Sequence, residues 1–64
     1  MVRNEIKKRI NERAYHTIRE IRRDWGVVKV SDGGMVSIIS EGWRVWISKV
    51  GSVYKVAAID EIKN

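Results

Sequence analysis

The chain has 64 residues, no cysteine, one histidine and a formal net charge of +5, with 44% hydrophobic and 33% charged residues. Disulfides and thiolate metal sites are excluded, and one imidazole cannot build a zinc site. A domain this short buries only about 60% of its unfolded surface, so it needs a dense core or more core from another copy of the chain.

The apolar choices are skewed: nine Ile and nine Val, but no Leu, Phe, Pro or Gln. High Lys, Arg and Glu without Cys or Gln fits a heat-adapted, thermostable protein. The longest apolar run is a few residues, such as Val56-Ala57-Ala58-Ile59, too short to span a membrane. The first nine residues are too charged for the apolar segment of a signal peptide. The expectation is a single cytoplasmic domain over 1–64, with no membrane association.

Residues 3–24 read as one amphipathic helix. Val2, Ile6, Ile10, Ala14, Thr17, Ile18 and Ile21 fall on one side at about 100° per residue. Glu5, Lys8, Arg9, Glu12, Arg19 and Arg23 take the other. Arg22 and Arg23 suit the negative pole of the helix, and Gly26 is a natural stop. Twenty-two helical residues span about 33 Å, whereas four strands at about 4.8 Å spacing make a sheet under 20 Å wide. Such a helix either overhangs its sheet or breaks near Asn11.

From Val27 the period changes to two. Strands are predicted at 27–31, 35–40, 43–50 and 53–59, separated by Asp32-Gly33-Gly34, Glu41-Gly42 and Gly51-Ser52, each with a glycine where a tight hairpin needs positive φ. A helix followed by a four-stranded antiparallel β-meander is an α+β fold. The turn lengths pair Lys29 with Ser37, Ser37 with Trp46, Ile38 with Val45, Trp46 with Ala57 and Ile47 with Val56. Parity then gives an apolar face of Val28, Val30, Val36, Ile38, Val45, Ile47, Tyr54, Val56 and Ala58 for the helix to cover. The second face carries Val27, Lys29, Ser37, Ile39, Arg44, Trp46, Ser48, Lys55, Ala57 and Ile59. A solvated face is ordinarily polar, and one helix does not cover both.

No enzyme motif or cofactor-binding fingerprint occurs. His16 reads as a solvated helix residue near Glu12 and Glu20. Asp60 and Glu61 are strand neighbours that point opposite ways and end the last strand. Trp25 and Trp43 read as rim residues of the core. Trp46 has two readings. Among Lys29, Arg44 and Lys55 it could stack a base while the cations hold phosphates. With Ile39, Ala57 and Ile59 it could instead centre a subunit interface.

The positive charge is uneven. Residues 1–24 carry eight Lys/Arg against four Asp/Glu, and residues 25–64 carry five against four. Lys8, Arg9, Arg19, Arg22 and Arg23, with Tyr15 nearby, could track a phosphate backbone, or they could be an ordinary solvated face. In physique alone the chain resembles the small basic proteins that coat archaeal DNA, being short and Lys/Arg-rich with an exposed Trp on a sheet. That likeness covers no defined motif. The reading is a non-enzymatic protein that binds DNA or RNA with little sequence specificity as a homo-oligomer, a dimer being simplest. The alternative is a protein–protein module or small assembly subunit that binds no nucleic acid.

Overall fold

The computed structural model describes residues 2–63. Two helices, α1 (Arg3–Arg13) and α2 (Ile18–Trp25), precede four strands, β1 (Val28–Val30), β2 (Val36–Ser40), β3 (Trp43–Val50) and β4 (Val53–Glu61). The strands form one antiparallel sheet in the order β1-β2-β3-β4. This is the expected α+β meander, with β3 at its expected bounds and β4 two residues longer.

The single helix expected over 3–24 is instead two, and of the two alternatives it is the break that occurs, at Ala14, three residues beyond Asn11. Ala14 is left-handed (φ 53, ψ 60), which ends α1. Thr17 then starts α2 with a capping box. Its hydroxyl accepts the Glu20 backbone N–H at 3.2 Å, and Glu20 Oε1 accepts the Thr17 backbone N–H at 3.1 Å. Desolvation acts to raise the Glu20 carboxyl, but hydrogen bonds from Thr17 and His16 outweigh it and hold the group below its ordinary range. Local capping thus beats continuation of the apolar stripe. The break lets α1 lie over β4 while α2 lies over β1 and β2, which resolves the mismatch between helix length and sheet width.

The linking residues also close one edge of the sheet. The Tyr15 carbonyl accepts the Tyr54 N–H at 2.8 Å, and the Asn11 side-chain oxygen accepts the Val56 N–H at 2.9 Å. His16 sits in this link, exposed, with Nδ1 at 3.0 Å from the Ser52 carbonyl oxygen. Backbone groups of the edge strand β4 are thereby satisfied inside the fold. Tyr15, expected beside the basic helix side chains, is turned inward and is buried.

The core lies between the helices and one face of the sheet. Ile6, Ile10, Ile21, Val36, Val45 and Ile47 have no exposed surface. Trp25 and Trp43 pack against its margin, as do Ile18, Val28 and Val56. The register follows the turns as far as Ile47↔Val56, with Lys29↔Ser37, Ser37↔Trp46 and Ile38↔Val45 as expected. Glu41 (φ 48) and Gly42 (φ 86) both take positive φ, as a hairpin turn matched to strand twist requires.

Beyond that point the register corrects the sequence reading. Trp46 pairs with Ala58 and not Ala57, because a bulge lies between Trp46 and Ile47 on the β4 side. One extra residue in β4 reverses the parity of everything after it. Ile59 therefore pairs with Val45 and is buried in the core, and Ala58 and Asp60 take the opposite face.

Candidate functional site

The helices occupy one face of the sheet, and the other is uncovered by any described residue. Pairing carries its residues across the strands in two rows. Lys29, Ser37, Trp46 and Ala58 form one row, and Ile39, Arg44 and Asp60 form the next. Val27, Lys29, Ser37, Ile39, Arg44 and Trp46 line an open concavity of ≈ 440 Å³ on this face. Val27 is 79% exposed and Ile39 52%, and Val2, Val30 and Val50 are also exposed. Trp46 is half-buried at the centre, and the Arg44 guanidinium carbon lies 5.9 Å from its ring centroid.

Of the residues singled out in the sequence, the structure brings together Lys29, Arg44, Trp46 and Ile39. Two others are placed elsewhere. Ile59 belongs to the core, for the bulge turns it away from Trp46. Lys55 shares the outer face with Ser48, but its ammonium reaches round the β4 edge and donates to the Asn11 carbonyl at 3.2 Å. Asp60 was assigned no part in this face. It stands across the ladder from Arg44 and lines a neighbouring depression with Arg44, Trp46 and Lys63. A signal for it was present in the sequence. Unbroken alternation from Tyr54 would place the Asp60 carboxylate against the core, and a slip near Ala57-Ala58 avoids that.

Lys8, Arg9, Arg19, Arg22 and Arg23 are all exposed, but they lie on the helix layer, on the far side of the molecule from Trp46. The expected cations therefore form two surfaces. On the helix side the aromatics are engaged. The Trp25 indole N–H donates to the Tyr15 hydroxyl at 2.9 Å, and that hydroxyl donates to Asp24 Oδ2 at 2.8 Å. Arg9 lies over the Trp25 ring at 5.1 Å and Arg13 over Tyr15 at 5.3 Å.

Among the described residues no three His, Asp or Glu side chains come close enough to share a metal ion. Among the described residues no helix is long and apolar enough to cross a membrane. No protein-family model matches the chain, and no curated protein or solved structure matches it either. What the outer face can do follows from its chemistry. It offers an aromatic surface, the cations Lys29 and Arg44, the Asp60 carboxylate opposite Arg44, a serine hydroxyl and an apolar margin, with no nucleophile–base pair among them.

Proposed function

We propose that the protein binds nucleic acid with little sequence specificity, through the uncovered face of the sheet. The observation that carries this reading is Trp46, half-buried at the centre of that face between Lys29 and Arg44. An indole ring offers any unpaired base a stacking surface, and flanking cations neutralise phosphates.

A second copy of the chain is the competing occupant, favoured by the exposure of Val27 and Ile39. Four strands averaging about six residues make a face of roughly 400 Å² in projection. A stable interface buries roughly 800 Å² per partner, so this face is on the small side for a permanent dimer. Self-association there would be weak and concentration-dependent, and it would cover the ring that binds nucleic acid.

The test is tryptophan fluorescence with anisotropy of labelled single- and double-stranded DNA and RNA, at about 50 and 200 mM salt. Quenching together with a steep loss of affinity at the higher salt is the expected result. No binding to any of these probes at low salt sinks the proposal and leaves a protein partner as the better reading.

A further inference from the structure

Most of the net charge lies on the side of the molecule that the sheet-face reading does not use. Residues 1–24 hold eight Lys/Arg and four Asp/Glu, and the helices they form cover the inner face. On α2, Arg19, Arg22 and Arg23 surround a shallow depression of ≈ 390 Å³ with Glu20.

The nearby acids are occupied. Glu20 Oε1 accepts from the backbone N–H of His16 and Thr17 and from the Thr17 hydroxyl, at 3.2, 3.1 and 3.1 Å. Asp24 accepts the Tyr15 hydroxyl and lies 3.7 Å from Arg13 and 3.9 Å from Arg23. Among the described residues, Arg19 and Arg22 have no acidic partner within ion-pair distance. Arg19 and Arg22 are thus two exposed guanidinium groups one helical turn apart without a carboxylate contact, although the ionised Glu20 lies beside them in the same depression.

We propose that Arg19 and Arg22 form a second phosphate-binding surface, so that one chain holds two nucleic-acid segments, one on the helix layer and one on the sheet. The bridging rests on the sheet-face reading above. The helix surface presents charge with its aromatics tied to the core, since Tyr15 is buried and the Trp25 indole N–H donates to the Tyr15 hydroxyl. It therefore suits the backbone of a duplex, whereas Trp46 suits unpaired bases. The molecule is 19 Å across in its shortest dimension. With a Debye length of about 8 Å at physiological salt, a polyanion on one face barely repels a second on the other.

The experiment mixes the full chain with a donor-labelled oligothymidine strand and an acceptor-labelled short duplex of mixed sequence. Energy transfer between the probes should appear on adding wild-type protein. Arg19→Gln/Arg22→Gln should abolish that transfer and reduce the salt slope for duplex binding by about 2. It should leave quenching by the strand unchanged. Trp46→Ala should lose the strand while keeping the duplex. Undiminished transfer with the double arginine variant overturns the proposal, because the bridging would then not pass through Arg19 and Arg22. Quenching by the strand with no transfer in wild type overturns it also, while leaving the sheet-face reading intact. Absence of quenching overturns the sheet-face reading and bridging with it, and the duplex salt slope then still reads whether the two arginines hold phosphate.

Discussion

The side-chain oxygen of Asn11, in the last turn of α1, accepts the backbone N–H of Val56 on the edge strand β4 at 2.9 Å, across 45 positions of sequence. With the Tyr15 carbonyl on Tyr54 N–H, it satisfies edge donors that would otherwise face solvent or another chain. Asn11→Ala removes one of these bonds and should cost about 1 kcal/mol, since a single hydrogen bond contributes about 0.5–1.5 kcal/mol net. Urea unfolding reads that loss. The variant should also associate more readily than wild type at high concentration, which light scattering would detect. Unchanged stability would mean that the bond is replaced by water at no cost.

Tyr15 joins the two helices, accepting from Trp25 and donating to Asp24. Burial first, and then the bond to the Asp24 carboxylate, push its phenol above 10.0. A raised folded value means that the fold favours the neutral phenol. Its contribution is complete below the unfolded value near 10 and is lost as pH climbs through the folded one. Tyr15→Phe leaves the Trp25 N–H without its acceptor and should cost about 1–2 kcal/mol at neutral pH. It should also flatten the alkaline fall in stability. The difference between the phenolate absorbance titrations of wild type and variant isolates Tyr15. A midpoint at or below the ordinary value contradicts the argument.

Deleting Ala57 tests the bulge. Without the extra residue, Val56, Ala58, Ile59 and Asp60 alternate regularly in the pairing they already have, so Ile59 stays opposite Val45 in the core and Asp60 stays opposite Arg44 on the outer face. The deletion should therefore keep the fold and shift the melting temperature by only a few degrees. Loss of the Ile59 burial would instead cost about 1.5–3 kcal/mol, or roughly 10 °C in melting temperature for a domain of this size. A fall that large in the deletion variant would show that β4 does not hold this register once Ala57 is gone.

The features legible in the sequence were those set by local chemistry. Glycine at the three turns fixed the hairpins, and the Ile/Val alternation through β2 and β3 fixed their faces, because both depend on residues within one turn of each other. Two features were not legible in that way. The helix break depends on Thr17 and Glu20 capping each other in competition with an apolar stripe that continues through Ala14 and Ile18, and periodicity does not weigh the two. The bulge at Ala57 depends on which face of the sheet excludes Asp60, and helices more than thirty residues earlier in the chain create that face. Its displacement of Ile59 is why the constellation around Trp46 was drawn with one residue that belongs to the core.

Trp46 and Ile59 therefore make a contrasting pair. Trp46→Ala removes a half-buried ring from the open face and should cost about 1–3 kcal/mol of stability, so its affinity is read on the folded molecules. Stacking is worth about 1–3 kcal/mol per base, so affinity for single strands should fall by about 5- to 150-fold. Ile59→Ala empties a core position and should cost about 2–4 kcal/mol of stability. The affinity of the molecules that remain folded should be unchanged, because the side chain does not reach the outer face. Self-association gives the pair a further use. A dimer formed on the sheet face covers Trp46, so added oligothymidine should shift the wild type toward monomer in light scattering, and Trp46→Ala should be monomeric without it. A dimer that persists at saturating strand with full quenching would place the subunit contact elsewhere, with the sheet face left to nucleic acid alone.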